Sequence, residues 1–161
     1  DLAATKDGRG AFTACVKLAK KDGRIYVADV RRARIGPHEV RELIRDCAKA
    51  DGKIVTQDLP QDPGQAGKSQ KSELAGMLLG YDVRFSPETG SKEDRARGLA
   101  ACSEAGNLYL VRAPWNDGFI AEACSFPAGL KDQVDAASRA FARAVGKKER
   151  RVGAAPRVVV G

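Results

Sequence analysis

Histidine is nearly absent from this chain: His38 is the only one. With one imidazole and no Cys–His pairing in view, the chain lacks the usual activator of a side-chain nucleophile. Its four cysteines, Cys15, Cys47, Cys102 and Cys124, form no close pair. A zinc site wants ligands a few residues apart, so zinc is discounted. Each cysteine stands in an Ala-rich or apolar setting, which favours small buried thiols in a reducing compartment. No run of about 18 apolar residues exists, so no segment reads as a membrane span. No signal peptide and no internal repeat is visible. Tryptophan occurs once, at Trp115.

The chain is rich instead in positive charge. Lys and Arg number 28 against 21 Asp and Glu, a net charge of +7. That balance implies a polyanionic partner such as nucleic acid, with plain solubility as the bland alternative. The length of 161 residues suits one domain with a real core.

The chain opens on Asp1-Leu2-Ala3-Ala4-Thr5, read as a strand carrying a carboxylate, as at the start of a domain cut from a longer protein. Asp7-Gly8 is a hairpin signal before a second run, Ala11 to Leu18, and Asp22-Gly23 is another before Arg24 to Val30. Together they predict an antiparallel meander. Gly36-Pro37 precedes a helix to about Ala50, with Val40, Leu43, Ile44, Cys47 and Ala48 on one stripe. Lys53 to Leu59 reads as a strand, since Ile54-Val55-Thr56 is β-branched throughout.

Pro60 to Lys68 holds two Pro and two Gly and is expected to be a loop. Ser69 then caps a helix to about Leu79. Tyr81 to Phe85 is a short strand, and Ser91 begins a helix to about Glu104 in a capping box. Asn107 to Val111 is a strand. Asn116 caps a short helix that Phe126-Pro127 breaks. A last helix spans Lys131 to about Val145, burying Val134, Ala137, Phe141 and Val145. The domain is therefore expected over 1–145, with a basic tail over 146–161 that starts Gly146-Lys147-Lys148-Glu149-Arg150-Arg151. A meander followed by alternating helices and strands implies an α/β fold: a mixed five-stranded sheet drawn from these six segments, three meander strands plus two, flanked by helices. That is the topology of the ribonuclease H-like fold.

Three acids matter under this reading. Asp1 lies on the first strand, Asp62 follows the Ile54 strand, and Asp132 opens the last helix, with Asp135 one turn on. Three carboxylates at one end of a sheet suit hard divalent cations. Two such ions about 3.5–4 Å apart can activate water and stabilise a leaving oxygen in phosphodiester cleavage. The competing reading is that these are ordinary loop and cap acids, Asp132 being favourable in a first helical turn anyway. Gly64-Gln65-Ala66-Gly67-Lys68-Ser69 is not a phosphate loop, because two residues rather than four separate its glycines. Lys68 is either a phosphate contact or a solvated loop lysine. Arg31, Arg32 and Arg34 are either a solvated edge or phosphate contacts. Trp115 suits an anchor at a helix start better than a base-stacking platform.

Several stretches occur in a telling order: Asp1 to Thr5, Pro60 to Lys68, Ser91-Lys92 with Arg95-Ala96, Trp115-Asn116, Phe119-Ile120 with Glu122, Ser125-Phe126-Pro127, and Asp132 to Ala136. As an ordered set they resemble the C-terminal nuclease domain of the large terminase subunit of tailed bacteriophages and prophages, over roughly residues 1 to 145. The resemblance implies a ribonuclease H-like endonuclease, dependent on two Mg or Mn ions, that cuts concatemeric double-stranded DNA during genome packaging. It implies Asp1, Asp62 and Asp132 as metal-binding acids and Asp135 as an auxiliary. Lys68, Lys92, Arg31, Arg32 and Arg34 would contact DNA. The implied partners are an upstream ATPase domain, the small terminase subunit and the portal, and the implied place is the host cytoplasm.

Two departures stand out. The family often carries Glu-rich acids before the Pro-Gly, where this chain has Pro60-Gln61-Asp62; Asp58 is therefore a rival second acid. The paired acids common at the last helix are Lys131-Asp132 here. Two alternatives remain: a junction resolvase or transposase on the same fold, and a non-catalytic DNA- or portal-docking module.

Overall fold

Two residues with left-handed backbone, Asp22 (φ 50°) and Gly23 (φ 74°), turn the chain back on itself. Such a pair makes the tight turn whose twist suits its flanking strands. Those strands are β1 (Thr13–Lys21) and β2 (Arg24–Ala33), antiparallel, with Val16 opposite Val30 and Lys17 opposite Asp29. Both appear in a computed structural model that describes residue 2 and residues 12–146. Asp1, the rest of the expected first strand, the Asp7-Gly8 turn and the tail from residue 147 lie outside the described residues.

Alternation before a bulge between Lys17 and Leu18 gives the hairpin two distinct faces. Ala14, Val16, Val30 and Arg32 share one; Cys15, Lys17, Asp29 and Arg31 share the other. The chain continues as α1 (Pro37–Asp51), β3 (Gln57–Gln61), α2 (Gln65–Met77), β4 (Val83–Pro87) and α3 (Lys92–Glu104). It ends with β5 (Leu108–Leu110), α4 (Asn116–Ser125) and α5 (Asp132–Gly146).

The fold is α/β as expected, but its described strands form two sheets rather than one of five. β5 adds in parallel to the open edge of β2, making the order β1-β2-β5. β3 and β4 satisfy each other in parallel across the α2 crossover. No described ladder joins β1 to β3, and the expected strand Asp1–Thr5 lies outside the description.

Two apolar clusters follow the same division. Val40, Ile44 and Ala48 of α1 pack with Leu59, Leu74 and Leu78, and Leu2 sits against them. Val27 and Val30 pack with Leu99, Phe119 and Ala137. Trp115 anchors the start of α4, its ring edge-on to Phe119 at 6.3 Å.

Several local expectations fail for clear reasons. Ile54 is 94% exposed and outside the strand, which begins at Gln57 where Val83 offers a partner. The stretch 60–68 is not all loop: β3 runs to Gln61 and α2 starts at Gln65, placing Ser69 inside the helix. The two glycines that argued against a helix permit its start. Gly64 has φ 90°, and a Cβ at Gly67 would overlap the Asp62 carbonyl oxygen. Asn116 is no cap; its side chain folds back to take the Ala113 N–H and to donate to the Val111 carbonyl. Val145 is 47% exposed. The cysteines are not fully buried: Cys124 is exposed and the other three are half-buried.

Candidate active site

Every residue from Asp132 to Ser138, the first two turns of α5, is buried. A helix start carries N–H groups without intrahelical partners, and burial denies them water. Glu122 of α4 meets the need. Its Oε1 accepts the Gln133 and Val134 N–H groups at 2.6 and 3.0 Å, and its Oε2 accepts the Gln133 side-chain amide at 2.7 Å. Arg32 approaches Oε2 at 3.4 Å. A carboxylate at the positive end of a helix is favourable by charge as well.

Seated this way, α5 offers two carboxylates. Asp132 accepts the Phe12 N–H at 2.9 Å on one oxygen and lies 3.2 Å from Lys92 Nζ on the other. Asp135 accepts Arg95 Nε and Nη2 at 2.9 and 2.8 Å, one on each oxygen. Lys92 Nζ is also 3.5 Å from Asp135. Burial pushes the Asp135 carboxyl up, but the Arg95 hydrogen bonds and charge, with Lys92, outweigh it and hold the carboxyl below its ordinary range. The Lys92 ammonium thus lies between two hard oxygen donors, a place that accepts a cation. Lys92 and Arg95 are delivered by the first turn of α3, whose cap is the predicted one: Ser91 Oγ accepts the Asp94 N–H at 3.0 Å.

More positive charge gathers alongside. The guanidiniums of Arg32 and Arg34 lie 4.5 and 4.2 Å from the Phe12 ring, whose own N–H serves Asp132. Arg31, of opposite parity on β2, turns to the other face and pairs with Asp29 at 3.0 Å. The expected trio of arginines is therefore a pair here.

The two rival second acids lie at different levels. Asp58 on β3 accepts hydrogen bonds from Arg143 at 3.1 Å and Ser86 at 2.9 Å. Arg143 is eleven residues beyond Asp132 on α5, about 16 Å along the axis. From Ser86 of β4, at the Arg143 level, the chain leaves the strand and passes Glu88, 3.8 Å from Arg139, to Gly90, whose carbonyl accepts Arg95 Nη1 at 3.0 Å. β3 is parallel to β4, so its chain leads from Asp58 toward the start of α5. Asp62 lies four residues further along, about 13 Å in extended chain. It is exposed, and the exposed Lys68 follows in the first turn of α2. Asp1 lies outside the described residues, and among those described no three His, Cys, Asp or Glu residues form a group that could hold a metal.

The buried acid on α4, the α5 carboxylates and the arginine-bearing hairpin all fall within one family match. The terminase RNaseH-like domain family matches residues 1–144. The chain belongs to that family. No curated protein matches it. In this terminase domain the match takes in Asp1, Asp62 and Asp132 and ends within α5, two residues before the helix does. No described helix is long and apolar enough to cross a membrane.

Two residues that organise the terminase site received no role from sequence reasoning, Glu122 and Arg95. Glu122 had a signal: a single acid among Phe119, Ile120, Ala121, Ala123 and Cys124, where a carboxylate persists only with buried partners. Arg95 stood in the ordered set that carries the resemblance, but nothing in sequence pointed to its partner, since Asp135 is 40 residues away.

Proposed function

We propose that this domain is a metal-dependent DNA endonuclease, the part of a terminase that cuts concatemeric double-stranded DNA during packaging. The observation that carries the reading is the Lys92 ammonium between Asp132 and Asp135 at a buried helix start, beside the guanidiniums of Arg32 and Arg34. Carboxylate oxygens there suit Mg or Mn, which when bound would stabilise developing charge and lower the pKa of a water.

The chain's own groups divide the work. Asp132, fixed by the Phe12 N–H, is the ligand on the rigid side. Asp62 is the ligand on the loop, favoured over Asp58 by the direction of β3 and by the Arg143 and Ser86 bonds that occupy Asp58. Asp1 is the third ligand expected from the family. Asp135 holds Arg95 and Lys92 in place more than it offers a free oxygen. Lys92, Arg32, Arg34 and Lys68 meet phosphates, which positions DNA without reading its sequence. The ATPase domain, small subunit and portal are the partners this function requires, in the cytoplasm of a bacterial host.

The test is plasmid cleavage in Mn, in Mg and in excess chelator, with a panel of duplex, branched and concatemeric substrates. Cleavage of linear duplex that stops in chelator is expected. Cutting confined to branched DNA would favour a resolvase, and cutting unaffected by chelator would remove the metal mechanism.

A further inference from the structure

The hairpin face that does not bear Arg32 carries an unassigned group of side chains. Cys15 of β1 and Cys47 of α1 line the same cavity, about 340 Å³, between β1, α1, β3 and the far part of α5. A neighbouring ion pair fixes how the two elements are aligned. Lys17, two residues along β1, pairs with Asp51, four residues along α1, at 2.7 Å. Two strand residues advance about 6.6 Å and four helix residues about 6 Å, so the two pairs are in step along the two elements. Charged groups surround the thiols: Arg31, opposite Cys15 in the ladder, with Asp29 and Asp51.

We propose that Cys15 and Cys47 are a peroxide-oxidisable dithiol, a modification site separate from the acids of α5. The chemistry balances with a hydroperoxide as oxidant. The Cys15 thiolate attacks one peroxide oxygen, forming the sulfenic acid and releasing hydroxide. The Cys47 thiol then attacks the sulfenic sulfur, forming the disulfide and releasing water. Each cysteine loses one electron to the peroxide overall. The neighbouring Cys47, with Arg31, lowers the Cys15 thiol despite burial and the Asp51 charge, while Cys47 itself is pushed up. Cys15 is therefore the attacking group and Cys47 the resolving thiol. The bond would join β1, in the cluster around Val27, to α1, in the cluster around Val40 and Ile44.

The experiment treats the 161-residue chain with hydrogen peroxide and maps thiols by alkylation and non-reducing peptide mass spectrometry. The expected result is loss of two of the four thiols, a linked Cys15–Cys47 peptide, and restoration by dithiothreitol. Cys102 and Cys124 should remain alkylatable, although Cys124 is the most exposed of the four. Cys47→Ser should stop the link and leave a Cys15 sulfenic acid that dimedone labels. Four thiols persisting in excess peroxide, a link through Cys102 or Cys124, or no dimedone label in Cys47→Ser would each overturn the proposal. The wild-type mapping stands without the variant, should Cys47→Ser fail to fold.

Discussion

Arg95 grips both carboxylate oxygens of Asp135, at 2.9 and 2.8 Å, from a helix that starts 40 residues earlier in the chain. The fork geometry suits a guanidinium and a carboxylate, and only 4% of the Asp135 side chain is exposed. This contact ties α3 to α5 at the point where the candidate metal acids stand.

Asp135→Asn should therefore destabilise the domain by about 2–3 kcal/mol, because it leaves a partly buried guanidinium without its counter-charge. The pH dependence has a definite sign. The folded carboxyl lies below its ordinary value, so its stabilisation is complete above roughly pH 4 and is lost as pH falls through the folded value. Thermal melts from pH 7 to pH 2 should show the gap between wild type and Asp135→Asn closing in acid. A constant gap would contradict this account.

Asp132→Asn should abolish cleavage while keeping the melt within a few degrees of wild type. The amide oxygen can still accept the Phe12 N–H, whereas Asp132→Ala would leave that half-buried donor without this partner. Asp1→Asn and Asp62→Asn should lose activity too. Asp58→Asn should instead lose stability by about 1–2 kcal/mol through Arg143 and retain cleavage. The check is nuclease activity in Mn beside thermal melts. An inactive Asp58→Asn with an active Asp62→Asn would reverse the choice of second acid.

Glu122→Ala should cost about 3 kcal/mol, since it orphans the Gln133 and Val134 N–H groups and the Gln133 amide together. Glu122→Gln should cost less, keeping an acceptor for the backbone while turning its own amide toward two donors. Urea denaturation of the three proteins gives the comparison. Equal midpoints for wild type and Glu122→Ala would show that this end of α5 is held by something else.

Lys92→Met should make the domain respond more strongly to manganese. Removing the ammonium leaves Asp132 with less counter-charge, so a divalent ion gains more by arriving. The melting temperature of Lys92→Met should rise further than that of wild type across a manganese titration, even if DNA cleavage falls. A smaller rise would mean that Lys92 helps hold the ion.

The sequence made the helices legible wherever one face was apolar. The stripe through Val40, Ile44 and Ala48 is buried as its spacing predicts, and so are Val134 and Ala137. The start of α2 was hidden because its glycines signal a loop by composition, while their use is steric, letting the helix close against the Asp62 carbonyl. β-branched residues misplaced β3, since Ile54 has no strand beside it and Gln57 has Val83. At the site, Asp132 and Asp135 were visible as acids in a first helical turn. Their partners were not, because Phe12, Lys92 and Arg95 come from elements distant in sequence. The split between Arg31 and the Arg32–Arg34 pair was legible from alternation alone.

The enclosed start of α5 also bears on motion. With Asp132 to Ser138 buried and the Gln133 and Val134 amides tied to Glu122, this helix end has little to open locally; its amide hydrogens should exchange only when much of the domain opens. Asp62 stands on an exposed turn between a short strand and a helix that begins at a glycine. The proposed ligand set is thus asymmetric, with one jaw anchored and one adjustable. Adaptation to an ion or a bent duplex falls to the Asp62 turn, which should relax on a faster clock than the helix facing it.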